Sequence, residues 1–465
     1  MNDRLIVGGD VVTMDPQRRV LAGATVAVAG GRIAALGTAD EMRARFPGAD
    51  ELDARGCVVT PGLINAHQHT TIDPLVRSLI PDNVTSEESI FGWIVPLHER
   101  GDGDDDELAA AITAADSLVH GVTTILEPGT VAHPERVAAG LRRVGIRGRV
   151  GAWGWDAEGV PFGGSPAEVV ARQEEVVRAL PSTGPVTGWV TLVGHDLVSD
   201  DLFTGAAALA ERLDVGITWH ISPGPADVVS YAKRCGRRPV QHLADLGVLS
   251  PRLLLGHAVH LDDAELELIL DSGTAVASCP GAYLRLAQGY TAATRHPEIV
   301  RRGGRLALGC DAHNAGDAPD VLHAAYLLAA LERDRDLPDP IRAQTAFELA
   351  TIAGAEAIGL GEEIGSLEVG KAADLVVIDA TGPGWIPRGD LARQLVWGMA
   401  SRDVRDVVVD GQIVVRDRAV VNVDLPALAS EAQARSSALL RRAGIDPVPS
   451  WPRHAPGRIA QESTC

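Results

Sequence analysis

Residues 60–69 read Thr60-Pro-Gly-Leu-Ile-Asn-Ala-His67-Gln-His69, two histidines one residue apart at the end of an apolar run that begins at Cys57. In extended chain, residues i and i+2 project to the same side. Both imidazoles can therefore reach one divalent ion at roughly 2.0–2.1 Å. The run 57–64 reads as a strand that delivers a ligand pair at its carboxyl end. A lone His-x-His is a common accident of a surface strand, so its weight comes from the rest of the chain.

Three further short apolar runs end in side chains of the same chemistry. Val215-Gly-Ile-Thr-Trp-His220 ends in a histidine, Arg252-Leu-Leu-Leu-Gly-His257-Ala-Val-His260 in two, and Arg305-Leu-Ala-Leu-Gly-Cys-Asp311 in a carboxylate. Between residues 58 and 360 such runs alternate with stretches of helical period, at 106–119, 167–180, 201–213 and 263–271. Strand–helix alternation of this length predicts a parallel (β/α)8 barrel, whose functional groups sit at the carboxyl ends of the strands. The first sixty residues differ. Short strand-like pieces at 5–7, 11–14, 25–29 and 32–37 are separated by Gly8-Gly9 and Gly30-Gly31. Strand character returns after Gly361, at 375–378, 407–409 and 413–415, with Asp410-Gly411 as a hairpin turn. The expected organisation is thus a β-sandwich domain from both termini (1–60 and 361–424), a barrel (61–360), and a C-terminal helix with a Pro-rich tail (425–465), peripheral or at an oligomer contact.

The chain has 465 residues, 62 acidic against 42 basic, for a net charge of −20. Such a surface repels phosphate backbones and anionic membranes, so neither nucleic acid nor membrane is an expected partner. A small neutral or weakly cationic molecule is the expected substrate. The five cysteines (Cys57, Cys235, Cys279, Cys310, Cys465) lack Cys-x-x-Cys spacing, which disfavours a disulfide framework or a zinc knuckle. The N-terminal stretch is too polar for a signal peptide, and no run reaches the roughly 18 apolar residues of a membrane span. A cytoplasmic protein is expected.

The order His-x-His, His, His, Asp at strands one, five, six and eight resembles the amidohydrolase superfamily. The stretches PGLINAHQH, FGWIVPLHER, GHAVHLDDAELELILDSGTAVASCP, GSLEVGKAADLVVID and LVWGMASRDVRDVVVDGQIVV are similar to its branch of triazine hydrolases and nucleobase-type deaminases. The likeness runs from about residue 5 to 420 and implies a (β/α)8 barrel flanked by a β sandwich. It also implies that His67, His69, His220 and Asp311 hold the metal, that Asp311 takes a proton from the attacking water, and that His257 touches the substrate. The chemistry agrees: a divalent ion lowers the pKa of water, a carboxylate accepts the proton, and an imidazole stabilises an oxyanion. Two-metal members bridge their ions with a carboxylated lysine on strand four. The stretch 186–193, read as that strand, has none, and Lys233 and Lys371 lie elsewhere. The expectation is one divalent metal per chain, zinc first, with iron, cobalt or manganese also suited to the donors. Relatives imply a homo-oligomer, a dimer or tetramer.

One departure concerns the substrate. The branch carries a glutamate three residues after the fifth-strand histidine, where this chain reads His220-Ile-Ser-Pro223. That acid passes a proton to a ring nitrogen or leaving group. Its loss favours hydrolysis of an amide, urea, carbamate or thiocarbamate-type C–N bond over deamination or dehalogenation of an aromatic N-heterocycle, the alternative enzyme reading. His195, His260, His313 and Glu127 are the candidates to replace it. Trp93, in a lid-like segment, and Trp155, after strand three, are expected to stack on substrate. Tyr283, in Cys279-Pro-Gly-Ala-Tyr283 where relatives carry Ser-Asn, is expected beside it, as are His260 and His313. A barrel that only binds a small molecule is the non-catalytic alternative.

Overall fold

Gly62 divides the run that reads as one strand. The computed structural model describes residues 3–81, 83–335, 339–446 and 450–451. In it Cys57–Pro61 pairs with Arg4–Val12 and Leu375–Asp379 in a nine-stranded sheet, whereas Leu63–Asn65 pairs with Val122–Leu126 as the first barrel strand. A Cβ on residue 62 would lie 2.0 Å from Thr123 Oγ1, so only glycine permits the crossing from one sheet to the other. The expected first barrel strand is therefore corrected: its amino-terminal half belongs to the flanking sheet.

The barrel continues through Val122–Leu126, Arg147–Val150, a split fourth strand (Val186–Gly188 and Val190–Gly194), Ile217–Ile221, Leu253–His257, Ala275–Ser278 and Arg305–Leu308. All neighbouring pairs are parallel. Closure runs from strand eight to strand one: Ala66 N donates to Leu308 O at 2.9 Å, and Cys310 N and Asp311 N donate to His67 O at 3.1 and 2.9 Å. The strands are buried along nearly their whole length, which explains why apolar residues and threonine dominate most of them. Helices cover the outside, several with N-caps written in the sequence: Asp102 caps Gly103–Val119, Ser165 caps Pro166–Ala179, and Asp262 caps Asp263–Ser272.

The flanking sheet joins both ends of the chain. Gly8-Gly9 does not break its first strand, which runs from Arg4 to Val12 with a bulge there. Asp410 and Gly411, both with positive φ, turn Val404–Val409 into Gln412–Arg416 as expected. The sequence reading missed the helix Ala39–Arg45, although Thr38 and Glu41 form a capping box in front of it. A buried ion pair ties this unit to the barrel: Arg147 of strand three donates to Asp374 at 2.8 and 3.0 Å.

The helix Leu425–Ala443 lies on the surface and buries Leu428, Leu439 and Leu440. Its Leu439 and Leu440 pack with Ile72, Val76, Ile94 and Leu97 beside the first and second barrel strands' loops. Arg435 and Arg442 pair with the acidic run Asp102 to Asp105. Of the expected tail, residues 452–465 lie outside the described residues. Among the described residues no helix is long and apolar enough to cross a membrane.

Candidate metal centre

Strand one ends at Asn65, whose side chain organises the His-x-His loop. Its Oδ1 accepts from His67 N at 3.4 Å and Cys310 N at 3.1 Å, and its Nδ2 donates to Gln68 Oε1 at 2.9 Å. The strand-eight backbone is thereby held against that loop. His69 Nδ1 pairs with Thr130 Oγ1 at 2.7 Å, and its Nε2 lies 3.4 Å from Asp311 Oδ1 and 3.2 Å from His220 Nε2. His220 Nδ1 donates to Val193 O at 2.7 Å, which fixes the tautomer and leaves Nε2 as a lone-pair donor. Two ring nitrogens meeting at that distance suit a cation between or beside them.

His67 is fully buried and neither ring nitrogen has a hydrogen-bond partner. Its Nε2 stands 3.9 Å from Asp311 Oδ1, and its ring is 4.7 Å from that of His220 and 4.8 Å from that of His257. An unpartnered buried imidazole is costly without a ligand. Its position is made by omission of side chains: a Cβ at Gly256 would come within 2.7 Å of His67 Cε1. His257 and Asp311 both have positive φ, 77° and 65°, a strained geometry for non-glycine residues that re-aims each side chain at its strand end. Burial, then the neighbouring histidines, push His67, His220 and His257 well below the usual imidazole range, so they stand neutral, the form that binds metal. Burial raises the Asp311 carboxyl, against the opposing pull of His69. Ligand atoms of His67, His69 and His220 form one tight group, and those of His67, His257, Cys279 and Asp311 a second sharing His67, each within 4.8 Å. The donor set of neutral imidazoles and one carboxylate fits a divalent ion such as zinc.

The other expected residues divide. His195, at the end of strand four, stacks on His220 with ring centroids 5.5 Å apart, and its Nδ1 is held by Asp227 Oδ2 at 2.9 Å. Burial lowers its affinity for a proton, but the Asp227 carboxylate outweighs it and the net shift is upward. Tyr283 faces His257 at 5.6 Å while its hydroxyl donates to Ala277 O at 3.3 Å. Glu127 is consumed as a brace: its carboxylate accepts from Thr70 N, Gly129 N and Thr130 N at 2.7, 2.9 and 3.0 Å. His260 donates from Nε2 to Gln288 O at 2.7 Å and is thereby tied to the strand-seven loop. Trp155 is buried against Trp153, with Nε1 donating to Pro161 O at 2.6 Å, a packed core position and not an exposed stacking surface. Trp93 lies in the turn of helix Glu88–Ile94, packed towards Leu439. His313 is fully buried, unbonded, 4.0 Å from Asp116, and burial followed by Arg77 brings its pKa to about 4.

Sequence reasoning missed Asp227 and Cys279. Asp227 sits in the first turn of a helix after strand five, and nothing local marks it. Cys279 comes directly after strand seven, so the strand-end rule that selected the histidines could have selected it.

Donors from the ends of strands one, five, six and eight converging in a closed barrel define a class, the metal-assisted hydrolytic barrels. Residues 58–414 match the model of the amidohydrolase family, and 26–49 that of a bacterial imidazolonepropionase-like composite domain. A 5-methylthioadenosine/S-adenosylhomocysteine deaminase of Syntrophobacter fumaroxidans is 33% identical, covering 91% of this chain and 95% of its own. An adenosine deaminase from Xanthomonas campestris with bound zinc superposes with TM-score 0.89 at 27% identity, over 95% of this chain and 99% of that one. The zinc complex of an atrazine chlorohydrolase from Arthrobacter aurescens gives TM-score 0.85 at 25% identity, over 94% and 100%. The chain belongs to the amidohydrolase family and is a hydrolase of carbon–nitrogen bonds other than peptide bonds.

Proposed function

We propose that the protein removes an amino group hydrolytically from an N-heterocycle of the aminopurine kind, using one divalent ion, zinc by preference, held by His67, His69, His220 and Asp311. The deaminases among its relatives support this reading over the amide, urea or carbamate cleavage that Pro223 suggests. The observation that carries it is His195. Of the four candidates for the missing acid, His195 alone combines a ring stacked on His220 with a carboxylate behind it. A bound ion would supply the Lewis acidity that makes water a nucleophile near neutral pH. Asp311 would accept the proton of the attacking water, and His257 would hold the developing negative charge. His195, its Nδ1 anchored by Asp227, would present Nε2 to the leaving amine and deliver the proton that the absent glutamate delivers elsewhere. Tyr283, whose ring faces His257, would then line the substrate side of the site, whereas His260, His313, Trp93 and Trp155 would stand behind that wall and shape it without touching substrate. A cytoplasmic dimer or tetramer belongs to the same reading, with light scattering as its check.

The test is ammonia release by the zinc-loaded protein. Adenosine, 5-methylthioadenosine and S-adenosylhomocysteine are assayed beside phenylureas and carbamates. Ammonia from an aminopurine, much reduced in His195→Asn, is the expected result. Turnover of the ureas or carbamates alone would return the site to carbonyl hydrolysis, the reading that Ser222-Pro223 favours.

A further inference from the structure

Strand seven brings a sulfur beside His67, His257 and Asp311. Cys279 continues from Ala275–Ser278 without a gap, is fully buried, and is in no disulfide. Its Sγ and one ligand atom each of His67, His257 and Asp311 all lie within 4.8 Å of one another. Two of these partners lack other engagements: both ring nitrogens of His67, and Nδ1 of His257, are buried without a hydrogen bond. Room for the sulfur is built into the backbone. A Cβ on Gly309 would stand 2.9 Å from Cys279 Sγ and 2.7 Å from His67 Cβ, so a side chain there would fill the space both groups occupy. Cys310, the neighbour of Asp311 and also buried, is not part of the group.

We propose that Cys279 is a ligand of the metal ion, bound as thiolate through Sγ, with its proton released to solvent as the ion enters. The inference rests on the metal-site reading above and goes beyond it, since the residues taken there as ligands are imidazoles and a carboxylate. A sulfur ligand changes what the centre prefers. Thiolate favours zinc and softer ions over manganese and magnesium, which take oxygen. It also adds negative charge at the ion, which makes the ion a weaker Lewis acid than a set of imidazoles and one carboxylate would.

Cobalt(II) is the probe. The full-length protein is stripped with a chelator, given one equivalent of cobalt, and its absorption recorded. Visible ligand-field bands report cobalt in any low-symmetry site, whereas an intense near-ultraviolet charge-transfer band requires a thiolate ligand. Both are expected in the unmodified protein, and Cys279→Ser should lose the near-ultraviolet band while keeping the visible ones. Zinc-edge X-ray absorption on the unmodified protein needs no variant, and should show a sulfur shell at about 2.3 Å beside nitrogen and oxygen at about 2.0–2.1 Å. Visible bands without charge transfer, or a shell of nitrogen and oxygen alone, would overturn the assignment of Cys279 and leave the metal site standing. Failure to take up cobalt or zinc would overturn both.

Discussion

His67 illustrates how a single side chain is positioned by what its neighbours omit. Glycines at 256 and 309 leave the space it fills, and the absence of any hydrogen-bond partner leaves its nitrogens for a ligand. His120, outside the centre, makes the contrast of an imidazole kept charged. Burial works against its proton, but the hydrogen bond to Asp116 prevails and its pKa is raised from 6.5 to about 9. A folded-state value above the unfolded one contributes stability that is fully present below pH 6.5 and lost as pH rises through 9. Thermal melts of His120→Gln against the unmodified protein should therefore differ most near pH 6 and converge towards pH 10. A difference independent of pH would contradict the charged pair. At this scale the clustering of His67, His69, His220 and His257 was legible, because strand ends and the two-residue repeat mark them without tertiary knowledge. Asp227 was not legible, since its partner His195 is 32 residues away and only the meeting of strands four and five joins them.

The elements were legible where periodicity is unambiguous and illegible where an apolar run has two owners. Residues 57–61 and 63–65 are equally apolar and equally buried, and hydrophobicity cannot say that Gly62 separates two sheets. The split of strand four at Trp189 is hidden for the same reason. The helix Leu425–Ala443 was legible, but its packing partners were not, because burial of Leu439 depends on the remote Ile72 and Leu97. That contact packs the helix on the segment between Glu88 and Arg100 that carries Trp93. Leu439→Ala should cost about 2–5 kcal/mol in stability, as truncation of a buried leucine does. Hydrogen exchange should quicken first in residues 88–100. Unchanged exchange there would mean that the helix does not secure this segment.

For the whole molecule, the two ends of the chain and the barrel are one folding problem. Arg147 and Asp374, 227 residues apart and both buried, are joined by paired hydrogen bonds, and Asp374 Oδ1 also accepts from Asp410 N at 2.7 Å. Removing one member strands the other's charge, which costs about 3–5 kcal/mol in comparable pairs. Arg147→Ala should lower the melting temperature and make the flanking sheet protease-sensitive while the barrel's helices persist. An unaltered melting profile would show that the ion pair does not couple the two units. The composition legible at the outset, strongly acidic and without an apolar span, agrees with a small-molecule enzyme but does not choose the substrate, which is set by side chains meeting across the barrel mouth.

A divalent ion around His67, held by histidines from separate strands, is what the proposed chemistry requires. Its most direct test is the metal content of the purified protein beside His67→Ala, both dialysed against buffered zinc and measured by plasma mass spectrometry. About one zinc per chain in the unmodified protein, and close to none in a His67→Ala variant that retains its helical circular dichroism, is the result this account predicts. Equal zinc in the two, or none in either, would contradict it.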